Sequence, residues 1–324
     1  MRKKTLFFKV SSVAVLTVSL ALISGCCIPD FNLGSLFNNS LNMFKAEYKE
    51  TINKEVAGEN LKSLQVEEIN GTIAVNFDSQ NTIRIQAVKV IRAKTEQEAK
   101  AHAVDFKVIV EEKDGSLVVR TQYPVGTHLP YTGRIDYTII APIGFEAVVN
   151  TTNGMISVGP GATKATAGTT NGNIKVEGVD GDVEIGTTNG KIDIAKVTGK
   201  VDAGTTNGAV TVEESGGPVK AETTNGRIVY LVSTPPSGDI DLGCTNGAIA
   251  VNVPNNSDLT VNASTVNGYL KVDLPLNITK KSRKAITGVL NKGTYKLRAE
   301  TTNGSVSIKN GTQNELPETP QRAI

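Results

Sequence analysis

The 324 residues could form one elongated domain or two compact ones, and they include 5% aromatics, no tryptophan and 31 glycines. That composition suits thin β-strands joined by tight turns better than the dense core of a globular enzyme. The formal net charge is +2. Loss of Arg2, Lys3, Lys4 and Lys9 with a leader leaves 30 basic against 32 acidic residues, which removes any electrostatic case for a nucleic-acid partner.

The chain opens with a basic n-region, Arg2 to Lys4, and an apolar run from Val13 to Ile23. That run is too short for a comfortable membrane span and the right length for a signal peptide. It ends in Ile23-Ser24-Gly25-Cys26, which resembles the bacterial lipoprotein signal, a small residue followed by the cysteine that is lipidated. Residues 1–25 are therefore expected to be cleaved, and Cys26 to carry the acyl chains (palmitate or similar) that anchor an exported protein to the cell envelope. Cys27 is the weaker candidate, because Cys26 rather than a small residue precedes it. Since residue 27 is not Asp, sorting to the outer membrane is expected if the cell has one. The three cysteines, Cys26, Cys27 and Cys244, are too few for a disulfide framework or a cysteine-based metal site, and no cofactor or metal is expected. Residues 26–45, rich in Asn, Ser, Leu and Phe without a clean period, read as a tether.

Residues 46–140 hold alternating segments without a fixed repeat. "LKSLQVEEINGTIAVNF" and "TIRIQAVKVIRA" read as strands, and Asp114-Gly115 as a hairpin turn. "TEQEAKAHAVDF" reads as one short helix near 95–105, with Thr95 as N-cap and Glu98 completing a capping box. This region is expected to form irregular coils and a cap for the repeats, because a solenoid must shield its first open edge.

Residues 141–310 repeat. Asn-Gly recurs at Asn153, Asn171, Asn189, Asn207, Asn225, Asn246, Asn267 and Asn303, with steps of 18, 18, 18, 18, 21, 21 and 36; an earlier copy sits at Asn70. The last step is read as two periods with one degenerate turn around "NITKKSRKAITG". Glycines nine apart divide each period into two short alternating strands, such as Ile174/Val176 and Val183/Ile185. Asn and Gly tolerate positive φ, which gives the turn a rationale but also fits an antiparallel meander or sandwich. The faithful repetition of polar Thr-Thr-Asn favours parallel stacking, in which each residue lies over its copy in the next coil and side-chain amides bond from coil to coil. Hexapeptide helices need an aliphatic every six residues, and calcium β-rolls need a repeated turn Asp; neither pattern is present. The fold class expected is all-β: a single-stranded β-solenoid, a right-handed β-helix with about 18 residues per coil, and an irregular N-terminal cap. Alternation from Val183 and Ile185 places Thr187 inward and Thr188 outward; Cys244, replacing a first Thr, agrees, whereas Val266, replacing a second Thr, argues mildly for the reverse. The polar, proline-containing residues 311–324 read as a disordered tail. Their "LPETP" lacks the Gly, the apolar span and the basic end of a sortase signal.

The order "NGTIAV", a longer variable segment, "YTIIAPIGFEAVVNTTNGMISV" and then many "TTNGxIxV" copies resembles the bacterial adhesin-like families of β-strand-repeat proteins, over roughly residues 46–310. The resemblance implies the architecture and brings no catalytic residues. An alternative is a polysaccharide-active β-helix enzyme. Against it, the chain has only His102 and His128; Glu111/Glu112 and Glu213/Glu214 read as solvated pairs; and Tyr230 and Tyr269 are the only tyrosines in the repeats before Tyr295. The basic "TKKSRK" at 279–284 reads as a solvated loop, with contact to an anionic envelope surface as its functional reading. Ice or mineral binding is disfavoured, since only one Thr per coil faces outward. The function expected is an adhesin-like or interaction scaffold displaying a repeated surface to an extracellular polymer or protein. The alternative of a different kind is a structural or envelope-stress accessory without a tight ligand.

Overall fold

The structure, a computed structural model, describes residues 44–126 and 129–311, which fall within the unit Asn42–Ile324. The expected leader, Cys26 and Cys27, nearly all of the tether, His128 and the tail beyond residue 311 lie outside the described residues.

The first strands are β1 (Ala46–Ala57), β2 (Ser63–Glu67), β3 (Ile73–Asp78) and β4 (Thr82–Ala93). Alternation in β4 buries Ile83, Ile85, Ala87 and Ile91 on one face. β4 pairs antiparallel with β1. Next comes α1 (Glu96–His102), which starts where Thr95 accepts the Glu98 N–H and Glu98 reaches back to the Thr95 N–H. Its buried Ala99 faces the sheet. β5 (Lys107–Lys113) and β6 (Ser116–Gln122) form a hairpin through Asp114 and Gly115, both at positive φ. β7 (Thr132–Pro142), β8 (Glu146–Asn150) and β9 (Ile156–Val158) lead into the repeats.

From residue 164 the chain alternates between two sheets. Sheet A takes β11 (Ile174–Val179), β13 (Ile192–Val197), β15 (Val210–Glu213), β17 (Ile228–Leu231), β19 (Ile249–Val253) and β21 (Leu270–Asp273). Sheet B takes β10 (Lys164–Asn171), β12 (Val183–Asn189), β14 (Val201–Asn207), β16 (Val219–Asn225), β18 (Ile240–Asn246) and β20 (Leu259–Asn267). Neighbouring repeat strands run parallel and in register: Ile174 pairs with Ile192 and Val210 with Ile228 in one sheet, Val183 with Val201 and Asn189 with Asn207 in the other. Parallel pairing excludes the meander. The inward residues of both sheets, among them Ile174, Ile192, Val201 and Ile228, are fully buried, and each such side chain contributes about 1.5–3 kcal/mol. The chain is thus all-β with one short helix and long parallel sheets of solenoid type.

The two 21-residue steps place their extra residues at the corner away from Asn-Gly, in the connections 232–239 and 254–258. Insertions there leave the Asn corner in register.

The last step of 36 is not two coils. Between β21 and the final repeat the chain forms an antiparallel hairpin, β22 (Asn277–Lys281) and β23 (Ala285–Leu290), and β23 pairs antiparallel with β20. The final strands, β24 (Tyr295–Asn303) and β25 (Val306–Asn310), then insert between earlier neighbours: β24 lies between β18 and β20, and β25 between β19 and β21. The other end mirrors this. The first rung, β2 and β3, lies between β6/β7 on one side and β8/β9 on the other.

Candidate functional site

The Asn-Gly corner is built by close approach. None of the ladder asparagines has positive φ, and neither do Gly172, Gly190, Gly208 or Gly226, so the turn rationale based on positive φ does not apply at these rungs. Instead, a Cβ on Gly172, Gly190, Gly208 or Gly226 would lie 1.8–1.9 Å from the carbonyl oxygen of the glycine one rung below. Only glycine lets the rungs stack at this corner. Each glycine N–H donates to an asparagine carbonyl of the next rung, as Gly172 does to Asn189 and Gly190 to Asn207 at 3.0 Å.

The asparagine side chains form one directed chain of amides. Asn153 Nδ2 donates to Asn70 Oδ1, and then Asn171 to Asn153, Asn189 to Asn171, Asn207 to Asn189, Asn225 to Asn207 and Asn246 to Asn225, all at 2.8–2.9 Å. Asn303 donates to Asn246, and Asn267 to Asn303. All eight asparagines expected in the ladder are therefore in it, with Asn303 and Asn267 in exchanged spatial order.

The first Thr of each pair points inward. Thr187, Thr205 and Thr223 are buried, and each donates through Oγ1 to a glycine carbonyl of the rung below at 3.0–3.2 Å. Cys244 takes this place in its rung, with Sγ 3.2 Å from the Gly226 oxygen, and burial pushes its thiol up. The second Thr is exposed throughout, and so is Val266. The mild inference drawn from Val266 is thereby corrected: an isolated aliphatic at a surface position is ordinary.

Beside the outward threonines runs a second column: Gly168, Gly186, Gly204, Glu222, Gly243 and Glu300. A Cβ at Gly186 or Gly204 would meet nothing within 4 Å, so these glycines open a channel on the outer face of sheet B. An open groove of about 660 Å³ continues from it, lined by Thr206, Thr224, Thr245, Glu222, Asp241 and Arg298. Its charges are paired: Arg298 bridges Asp241 and Glu300 at 3.3 and 2.6 Å, and Lys220 meets Glu222 at 3.0 Å. The bond to Glu300 holds Arg298 above its ordinary value, and that to Glu222 does the same for Lys220. Sequence reading missed this column, although the recurrent Gly immediately before Thr-Thr was its signal.

A second unforeseen feature is Glu68. Aligning "EEING" with "TTNG" puts Glu68 in the inward-Thr column, between Thr121 and Thr151. It is 6% exposed, accepts the Ile69 and Asn70 N–H groups at 2.9 and 3.0 Å, and accepts the Thr121 and Tyr123 hydroxyls. Burial pushes its carboxyl above the usual range against the pull of these bonds.

The other residues singled out do not converge. His102, on α1, bonds Asp105 at 3.0 Å and stacks on Tyr131 at 3.8 Å; that bond, with one from the Tyr131 hydroxyl, holds Asp105 below its ordinary value. Burial, aided by Asp105, pushes Tyr131 up to about 12. Glu111 faces Arg120 at 3.4 Å, and Glu214 accepts the Ser233 hydroxyl at 2.8 Å. Tyr230 is buried and Tyr269 is 82% exposed. Among the described residues no three His, Cys, Asp or Glu side chains are placed to share a metal ion, and no helix is long and apolar enough to cross a membrane.

Parallel rungs in register with a polar corner ladder define a β-repeat protein of solenoid type. Residues 43–309 match the model of the Toastrack DUF4097 family, and the chain belongs to that family. Similar solved structures include "a putative cell adhesion protein" from Clostridium sporogenes ATCC 15579, 12% identical, covering 82% of this chain and 100% of that one at TM-score 0.27. Another is "a putative adhesin" from Bacteroides fragilis NCTC 9343, 12% identical, covering 81% and 97% at TM-score 0.38. A third, also "a putative adhesin", is from Parabacteroides merdae ATCC 43184, 10% identical, covering 80% and 96% at TM-score 0.24. No curated protein matches the chain.

Proposed function

We propose that this chain is an exported, adhesin-like scaffold that displays the outer face of sheet B to an extended polymer or protein. In this reading it is a right-handed solenoid of about 18 residues per coil. It is anchored through acyl chains on Cys26 after removal of residues 1–25, stands off on the tether 26–45, and carries no catalytic site. The carrying observation is the channel floored by Gly186 and Gly204 beside the outward Thr188 and Thr206. It offers hydroxyls and exposed backbone at one repeat distance, roughly 4.8 Å, to a ligand that itself repeats. The groove's acids and bases bond one another and leave no converging set, which suits recognition better than chemistry.

The test is a glycan array probed with the full chain and with Gly186→Trp/Gly204→Trp. Space above both glycines is free, so the variant should fold as the parent does and lose any ligand. A ligand that still binds the filled face would sink the reading. The second reading, a spacer without a tight ligand, is favoured by the interlocked terminal rungs, and it predicts that no arrayed polymer binds either protein. Anchoring is tested separately: metabolic palmitate labelling should disappear in Cys26→Ser and persist in Cys27→Ser.

A further inference from the structure

Charge along the rungs is neutralised locally. Lys175 pairs with Glu177, Lys191 with Asp193, Lys200 with Asp202 and Lys271 with Asp273. Three of the four edge strands are guarded in the same mixed way: β1 by Lys49, Glu47 and Arg92, β5 by Glu111 facing Arg120, and β21 by Lys271 with Asp273. The fourth edge, β22, differs. Between Asp273 and Glu300 the sequence has seven Lys and Arg residues and no acid. Residues 277–284 are all exposed. Among the described residues Lys280, Lys281 and Arg283 have no ion-pair partner, and Lys284 Nζ donates to the Gly268 carbonyl at 2.6 Å.

Lysine on an exposed edge serves to blunt it, but edge protection does not account for apolar side chains left exposed beside the cluster. Beside it lie exposed apolar side chains: Ile278 on β22 is 50% exposed, and Tyr269, next to the Gly268 that Lys284 touches, is 82% exposed. Cations alone would suit any polyanion, whereas cations bordered by an aliphatic and an aromatic side chain suit a headgroup layer over an acyl boundary. We infer that the β22–β23 hairpin is a docking surface for an anionic phospholipid bilayer. Lys280, Lys281 and Arg283 lie against the headgroups, and Ile278 and Tyr269 at the acyl boundary. This goes beyond the proposed display face and does not depend on it.

The experiment is co-sedimentation of the full chain with phosphatidylcholine vesicles and with vesicles containing about 30% phosphatidylglycerol, near physiological salt. The readout is the ratio of the two partition coefficients. Leader or acyl anchor contributes equally to parent and variant. Each cation favours anionic lipid roughly 5-fold, so Lys280→Glu/Lys281→Glu/Arg283→Glu should lower the ratio by about 100-fold or more. Lys280→Gln/Lys281→Gln, chosen to leave the thermal melt unchanged, should lower it about 25-fold. Ile278→Ser/Tyr269→Ser should weaken binding to both vesicles and leave the ratio intact. An unchanged ratio in a folded charge variant overturns the inference. So does release of the bound protein by soluble polyphosphate at phosphate matched to the lipid, which would make the partner a polyanion rather than a bilayer.

Discussion

Two glycines that look alike in the sequence are under opposite constraints. At Gly190 an added Cβ would stand 1.8 Å from the Gly172 carbonyl oxygen, backbone that can yield only if the rungs part. At Gly204 the same atom meets nothing. Gly190→Ala should therefore cost about 3 kcal/mol or more by strain at the corner. Gly204→Ala should be neutral or stabilise by about 0.5–1 kcal/mol, since a strand glycine forfeits chain entropy. Urea unfolding of the two variants measures the difference. The sequence showed that glycine was needed after Asn but suggested the wrong reason, because dihedral tolerance is local and rung-to-rung approach is not. Glu68 gives the pH dependence at this scale. Its folded carboxyl is raised by burial, so the native state holds the proton more tightly than the unfolded chain does. Its contribution is thus fully present below the unfolded value and is lost as pH rises through the folded one. Unfolding free energy measured from about pH 4 upward should carry this downward component in the parent and lose it in Glu68→Gln.

At the scale of the element, the asparagine column acts as a single unit rather than as eight separate bonds. Every amide donates in the same direction along the stack, so neighbouring dipoles align and can strengthen one another. The residues are exposed, and each bond's net worth is about 0.5–1.5 kcal/mol. Asn207 makes two such bonds, so Asn207→Ala should cost about 1–2 kcal/mol. Asn207→Asp should cost more, since its carboxylate would face Asn189 Oδ1 with no proton to donate. A double-mutant cycle with Asn189→Ala, read by chemical denaturation, should return a coupling energy that a pair placed four rungs apart does not. Much of this element was legible in advance: parallel stacking, the inward first Thr, and the helix capped by Thr95 and Glu98 all follow from side chains repeating or meeting at short range. The outward glycine channel was not, because a glycine has no side chain to show its face, and only the burial of its strand neighbours places Gly186 and Gly204 outward.

At the scale of the described unit, the order of the rungs was hidden for a physical reason. "TTNG" at 301–304 has the same corner chemistry as its copies, so it fits any slot in the stack, and repetition specifies register without specifying sequence order. The fold uses that freedom at both ends. A stack whose coils followed chain order would end on its chain termini, and a solenoid frays from its outermost repeat. Here β24 and β25 are paired on both sides, while the rung beyond them is β20/β21, with β20 covered by the β22–β23 hairpin. Releasing the C-terminal rung requires breaking two ladders at once. Amides of β24 and β25 should therefore exchange with deuterium as slowly as those of the central β14, whereas β21 and β22, each with a free edge, should exchange first. If the chain instead frayed from Asn310 inward, β25 would lose protection before β21, and the interlock would have no energetic meaning. The same insertion requires β24 to enter between β18 and β20, strands that its own backbone must later bridge. Refolding should therefore show a slow step set by that long-range closure, and shifting the 295–310 segment out of register by one residue should abolish the step along with the protection.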